Sequence, residues 1–274
     1  MTPPTGLWID CPPHRVATSY YWDQLAALGV STAAIMVETS DRGWTPCYGS
    51  HQIRLCCDLA IERDIEVVLT CWPEPDPVML AAAMDALDHW AELGPVGLEV
   101  DLEGQWLATR LRGYPTMAAA AADLVAGLHA IRERRDVRIE LTTPTGHGEC
   151  GPHALVSPHV DRVIPQLYST RRDWRQRLVE WTGPMGPGRR QREGLRRVMQ
   201  IPGLGKDYGP KLSIGLAGWD QKWPGHTVVE ALELAWDEAV AASPAEARFW
   251  SSKWIVGAKS DARVLDWLDT LTRP

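Results

Sequence analysis

Residues 95–104 of this chain read Pro-Val-Gly-Leu-Glu-Val-Asp-Leu-Glu-Gly. Successive side chains of a β-strand point to opposite faces, so Glu99, Asp101 and Glu103 share one face and the aliphatic residues between them share the other. A strand edge with solvated acids would not need an apolar residue at every alternate position. We therefore predict a strand whose apolar face packs under helices and whose acids line the mouth of a barrel, where functional groups gather.

The order of elements along the chain places this acidic strand fourth among eight. Further strands are predicted at 6–10, 31–37, 65–71, 137–143, 160–168, 211–217 and 248–256. Helices are predicted at 18–28, 51–63, 78–93, 115–134, 173–181, 226–242 and 260–271. Without internal repeats or a linker, this alternation predicts a single (β/α)8 TIM barrel over residues 1–274, with a surface insert around 183–205. The alternative, a doubly wound sheet, usually has a glycine-rich loop after strand one, and Cys-Pro-Pro-His at 11–14 is no such loop.

Composition and charge exclude several classes of partner. The formal net charge is -7, which argues against nucleic acid and anionic membrane surfaces. No apolar stretch is long enough to cross a membrane, and residues 1–5 lack the features of a signal peptide. We expect a monomer without membrane insertion, cytoplasmic when made and released to the cell wall by a separate export or lysis system. Six cysteines are too sparse for a disulfide scaffold, so we expect mostly free thiols.

The aromatic residues are unusually distributed, with 14 Trp and one Phe. An indole offers a flat apolar face to a sugar ring and an N–H group to its hydroxyls, so the surplus favours a carbohydrate ligand. The stretch His-Gly-Glu-Cys-Gly-Pro-His at 147–153 contains metal-ligand residue types but lacks a fourth ligand at a recognised spacing. We predict no metal and no cofactor.

Four strands together resemble those of a known family. Residues 97–103, Gly-Leu-Glu-Val-Asp-Leu-Glu, resemble the DGxDxDxE signature on the fourth strand of glycoside hydrolase family 18, the chitinases. Gln166-Leu167-Tyr168 resembles the Q-x-Y of its small plant-type chitinase/lysozymes, and residues 211–216 and 249–253 resemble their seventh and eighth strands. Two positions depart from the signature, because Val96 and Glu99 stand where the family has aspartates.

The resemblance implies roles for individual residues in cleaving a β-1,4-linked N-acetylglucosamine polymer, chitin or peptidoglycan. Glu103 would be the general acid, and Asp101 and Tyr168 would orient the acetamido group of the substrate, whose oxygen is the nucleophile. The residues expected to bind the substrate are Glu99, Trp250, Gln166, Trp8 and Asp10. On sequence alone, Tyr168 and Trp250 are equally consistent with core residues.

Two alternatives stay open at this point. The chain also resembles the family 25 lysozymes, which use an Asp-x-Glu pair on a strand, here Asp101-Leu102-Glu103, and an early aspartate, for which Asp10 is the candidate. A retaining, substrate-assisted hydrolase resembling a phage endolysin is the first hypothesis. A non-catalytic sugar-binding barrel that lost activity through the changes at Val96 and Glu99 is the second.

Overall fold

The computed structural model describes residues 3–11, 13–38, 49–106, 110–144, 152–166, 212–218, 226–241, 244–256 and 260–272. The strands are β1 Thr5–Ile9, β2 Val30–Glu38, β3 Glu66–Cys71, β4 Gly97–Asp101, β5 Arg138–Pro144, β6 Arg162–Gln166, β7 Ser213–Ala217 and β8 Glu246–Trp250. They are parallel and close into a barrel in chain order, with β8 paired to β1. The predicted (β/α)8 architecture is confirmed.

Helices cover the outside of the barrel. They are α1 Pro13–Val16, α2 Ser19–Ala27, α3 Ser50–Ile61, α4 Pro77–Ala91, α5 Met117–Arg134, α6 His153–Val156, α7 Val228–Ala241, α8 Ser252–Ile255 and α9 Ala262–Thr272. The predicted helix at 18–28 is α2, which is capped by the Thr18 hydroxyl and is followed by Gly29 in the left-handed conformation, with φ of 64°. None of the described helices combines the length and the apolar character needed to span a membrane.

Two predicted boundaries are wrong. The eighth strand ends at Trp250, because the chain turns into α8 directly after Ser251. The helix predicted from residue 115 begins at Met117, because the hydroxyl of Thr116 accepts the Ala119 N–H group and leaves Pro115 outside the helix. The predicted helix at 173–181 and the insert at 183–205 lie outside the described residues.

The sheet separates two apolar cores. The larger core lies between the outer face of the sheet and the helices, and alternate residues of β4 and its extension, Leu98, Val100 and Leu102, are buried in it. A small core lies inside the barrel and consists of Trp8, Ala34, Val68 and Ile164, with Trp250 packed against it. Strand alternation therefore works as predicted, with aliphatic residues facing out and a mixed set facing in.

Cys56 and Cys57 are free thiols, as predicted. All four described cysteines, Cys11, Cys56, Cys57 and Cys71, are buried, whereas Cys47 and Cys150 lie outside the described residues. Burial raises the pKa of both Cys56 and Cys57 to about 12, so neither ionises near neutral pH.

Charged side chains are closely packed inside the barrel. The carboxylate of Glu246 accepts hydrogen bonds from Arg248 Nε at 2.7 Å and from Arg162 Nη1 at 2.7 Å. Gly6 on β1 faces this pair, and a Cβ atom added there would lie 1.8 Å from Glu246 Oε1. Since two arginines hold the carboxylate, it cannot rotate away without breaking an ion pair.

We predict that Gly6→Ala destabilises the fold by roughly 1–3 kcal/mol, the usual cost of overpacking a core. Chemical denaturation monitored by circular dichroism measures the change. Gly49→Ala is the control for losing a glycine, because its added methyl group meets no atom closer than 3.9 Å. A Gly6→Ala protein as stable as the control would contradict the packing of Glu246 against β1.

Candidate active site

The three acids of the fourth strand lie at increasing height along one inner wall of the barrel. Glu99 is fully buried, Asp101 is 4% exposed, and Glu103 is half-buried just beyond the end of β4. All three face inward, since the intervening aliphatic residues belong to the outer core. The acids therefore rise from the dry interior of the barrel to its C-terminal mouth, where barrel enzymes have their active sites.

Gln166, on β6, joins the two upper acids. Its side-chain amide Nε2 donates a hydrogen bond to Glu103 Oε1 at 2.8 Å. The same nitrogen lies 3.4 and 3.5 Å from the two carboxylate oxygens of Asp101, at the limit of hydrogen bonding. One amide thus fixes the relative orientation of two carboxyl groups that are two residues apart on the same strand face.

Asp101 is held in an environment that favours its protonated form. Burial raises the pKa of Asp101 well above its usual range, and the negative charges of Glu103 and Glu99 raise it further. Two nearby carboxyl groups that cannot both ionise share a proton, and that proton belongs to the pair. We call Asp101 and Glu103 the upper pair.

Glu99 lies below the upper pair and is surrounded by donors. Trp8 Nε1 donates to Glu99 Oε1 at 2.8 Å, Thr70 Oγ1 donates to the same oxygen at 3.2 Å, and Arg248 forms a close ion pair with Glu99 Oε2. Burial raises the pKa of Glu99 to about 7, and the charge of Arg248 opposes that rise. In this structure Glu99 supports the site from below and presents no surface at the mouth.

Two tryptophans lie on the wall opposite the acids. The ring centroids of Trp8 and Trp250 are 5.9 Å apart, with an angle of 59° between the ring planes. Trp8 is 1% exposed and donates its N–H group to Glu99, whereas Trp250 is only partly buried. Because β8 and β4 are four strands apart in the closed barrel, Trp250 and the upper pair flank the mouth from opposite sides.

The structure brings together most of the residues selected from sequence. Contacts join Glu103, Gln166 and Asp101 in one group and Glu99, Trp8 and Trp250 in another, and Glu99 and Asp101 are neighbours on the same strand face. Asp10 directly follows β1 and is half-buried at the same end of the barrel. Tyr168 lies outside the described residues, so its role remains a prediction.

Sequence analysis missed Arg248, the cation beneath the site. Arg248 lies two residues before Trp250, and every second residue of β8, namely Glu246, Arg248 and Trp250, faces the inside of the barrel. The signal was available: a strand whose Trp points into the barrel must also point the residue two positions earlier into it. The predicted strand begins at residue 248, and only its Trp250 was assigned to the site.

Of the stretch with metal-ligand residue types at 147–153, the structure describes residues 152 and 153. Residues 147–151 lie outside the described residues, and His153 begins α6 with a buried ring whose nitrogens find no hydrogen-bond partner among the residues that the structure describes. Burial lowers the pKa of His153 to about 4, so this imidazole is neutral at physiological pH. Within the described ranges, no three His, Cys, Asp or Glu side chains form a group that could hold a metal ion.

Comparison with known proteins gives similarity at the level of structure. No protein-family model and no curated protein sequence matches the chain. A class V chitinase from Pseudomonas fluorescens Pf-5 aligns with a TM-score of 0.66 and 14% identity over 99% of this chain and 100% of that one. The spore cortex-lytic enzyme SleL of Bacillus cereus aligns at 0.62 and 10% identity over 99% and 74%. A family 18 chitinase, ChiB of Flavobacterium johnsoniae, aligns at 0.57 and 10% identity over 99% and 94%.

These alignments show that the chain has a fold like that of glycoside hydrolase family 18. This confirms the fold implied by the resemblance of the fourth strand. Identities of this size establish the fold alone. The function therefore has to be argued from the upper pair and its surroundings.

We predict that Asp101→Asn makes the protein more stable at neutral pH. An acid whose pKa is raised on folding binds more protons in the native than in the unfolded state, so stability falls as pH rises from the usual carboxyl pKa to the raised one. Each pH unit in that window costs about 1.4 kcal/mol, and the asparagine escapes this cost.

Urea denaturation at several pH values from 4 to 8 tests this prediction. Asp136→Asn, which removes an exposed acid, is the control for losing one carboxylate from the chain. The stability gain of Asp101→Asn over the parent should grow with pH. A constant difference would mean that Asp101 is ionised throughout in the folded protein.

Proposed function

We propose that this protein is a retaining glycoside hydrolase that cleaves β-1,4-linked N-acetylglucosamine polymers, with Glu103 as the general acid. The observation that carries the proposal is the upper pair: two inward-facing carboxyl groups at the C-terminal mouth of the barrel, joined by the Gln166 amide and opposed by a partly exposed Trp250. Cleaving a glycosidic bond needs a proton for the leaving oxygen and stabilisation of the positive charge at the anomeric carbon.

Glu103 is suited to the first task by its position. It is the outermost acid of the strand and half-buried, so a sugar at the mouth can reach it. Asp101 below it is buried in an environment that disfavours its charge, and this keeps a proton on the upper pair. Glu103 gives that proton to the glycosidic oxygen as the bond to the anomeric carbon breaks.

The second task falls to the substrate itself in this proposal. The carbonyl oxygen of its 2-acetamido group attacks the anomeric carbon and forms a cyclic oxazolinium ion, while Asp101 hydrogen-bonds the acetamido nitrogen. Glu103, now ionised, takes a proton from the water that opens this intermediate, so the configuration is retained. We include Tyr168 as a second group that orients the acetamido group, on the resemblance to the chitinases alone.

The polymer is either chitin or peptidoglycan. The similar structures include chitinases and a spore cortex-lytic enzyme, which supports a polysaccharide without choosing between the two. The partly exposed Trp250 supports a sugar ligand, since an indole face packs against the C–H face of a pyranose ring. We assign Gln166 and Trp250 to substrate binding, with Trp8 and Glu99 supporting them from within the barrel.

We predict that Glu103→Gln lowers kcat by about 10²–10⁴-fold while leaving the fold and sugar affinity nearly unchanged, because the amide keeps the shape but has no proton to give. A reducing-sugar assay on chitin oligomers and a turbidity assay on purified peptidoglycan measure turnover. Glu133→Gln, on an exposed position of α5, is the matched control. Sugar binding without turnover in the parent protein would instead favour the non-catalytic barrel.

We predict that replacing the 2-acetamido group of the substrate by hydroxyl removes most of the turnover, because the attacking oxygen supplies the proximity advantage. Asp10→Asn should then change kcat only slightly. Comparing glucose and N-acetylglucosamine oligomers, with parent and Asp10→Asn proteins, tests both points. A strong loss in Asp10→Asn together with tolerance of the hydroxyl substrate would favour the family 25 mechanism.

A further inference from the structure

Arg248 is the only charged side chain of β8 that reaches across the barrel to the acidic strand among the residues described. It is fully buried and bonds three carboxylates: Nε donates to Glu246 Oε1 at 2.7 Å, Nη2 donates to Glu140 Oε2 at 2.9 Å, and Nη1 contacts Glu99 Oε2. Its guanidinium carbon also lies 5.4 Å from the centroid of the Trp8 ring. An arginine fork can satisfy several acceptors at once in this way.

The buried glutamates of this cluster are all paired with arginines. Glu99, Glu140 and Glu246 are joined to Arg138, Arg162 and Arg248, and Arg138 also pairs with the exposed Glu66. Arg162 and Arg138 lie at the edge of the cluster and also bind Glu246 and Glu140. Buried charges are stable only when paired and hydrogen-bonded, so the ion pair with Arg248 favours the ionised form of Glu99 against the effect of burial.

Glu99 is the member of this cluster that faces the upper pair. The groups that contact its carboxylate are all donors: the Trp8 N–H, the Thr70 hydroxyl and the Arg248 guanidinium. A protonated Glu99 would lose an acceptor that these donors need. On the described elements, the charged or titratable groups that act on Glu99 are Arg248, Glu140 and its strand neighbour Asp101, and those that act on Asp101 are Glu103 and Glu99.

We propose that Arg248 is a positioning residue for the glycosidase reaction: it holds Glu99 as an ionised hydrogen-bond acceptor, so that the catalytic proton stays on Asp101 and Glu103 and is not shared with Glu99. This inference rests on the proposed function. The negative charge fixed beneath Asp101 then raises the pKa of Asp101, so that this carboxyl keeps its proton to a higher pH.

Two isosteric variants separate this role from a structural one. Glu99→Gln and Glu140→Gln each remove one carboxylate from Arg248, and both positions are fully buried at neighbouring points of β4 and β5. Glu140→Gln should cost more stability, because Glu140 also accepts a hydrogen bond from Arg138, so the two variants are compared by their pH profiles. Removing the negative charge below Asp101 lets the upper pair give up its proton more easily, so Glu99→Gln should move the alkaline limb of the kcat/KM profile down by about 1 pH unit or more. Glu140→Gln should leave the limb in place.

Substitution of Arg248 tests the cation directly. Arg248→Gln should shift the alkaline limb in the same direction as Glu99→Gln, because Glu99 then takes up a proton. Arg248→Lys keeps a positive charge and should restore most of the parent profile. If Arg248→Gln does not fold, the pair of glutamate variants still decides the matter. Equal limbs in the parent and Glu99→Gln would overturn the proposal, since Glu99 would then be uncharged already.

A readout without substrate separates this inference from the proposed function. The pH dependence of urea unfolding reports the raised pKa of Asp101 whether or not the protein turns over a sugar. In Glu99→Gln the pH window in which stability falls should move down, and in Glu140→Gln it should stay. A shifted window in a protein without hydrolase activity would uphold the charge arrangement and reject the proposed function. An unshifted window would reject the role of Glu99 and Arg248 even in an active enzyme.

Discussion

The inside of this barrel depends on one buried cation. Arg248 connects β8 to the acidic strand and to β5 through three carboxylates, and it does so without any contact with solvent. Removing one partner of such a buried ion pair typically costs 3–5 kcal/mol, because the remaining charge stays desolvated. The strands that carry the site are therefore fixed from within, and their upper ends can carry groups chosen for chemistry instead of packing.

The environment of each acid above Arg248 depends on how deep that acid lies in the barrel. The charged groups deep inside the barrel are paired with arginines, whereas the upper pair near the mouth is joined by the Gln166 amide and lies beside the negative charge of Glu99. Burial and like charge both work against the ionisation of Asp101, whereas the charge of Arg248 opposes the effect of burial on Glu99. Among the described residues, Glu99 therefore has a cation as its partner and Asp101 has none.

Both departures from the chitinase signature take on a physical meaning in this setting. Val96 precedes β4 and is 37% exposed at the N-terminal end of the barrel, away from the mouth, so a missing aspartate there leaves the upper pair intact. Glu99 replaces a shorter acid, and its carboxylate meets the guanidinium of Arg248, which comes from the far side of the barrel. The longer side chain of Glu99 and the buried Arg248 thus form one ion pair across the barrel.

The sequence by itself determined the repeat of strands and helices, the inward face of the acidic strand and the acids at its end, because alternation and capping are local properties. It identified Gln166 and Trp250 through the resemblance to chitinases. Only the tertiary structure decided which side chains meet: Arg248 lies 149 positions from Glu99 in the chain, yet it is the ion partner of that acid. The tertiary structure also decided how deeply each side chain is buried, since Trp8 and Glu99 lie inside the barrel and Glu103 lies at its mouth. Protonation depends on burial and neighbouring charge, and both are set when the eight strands close.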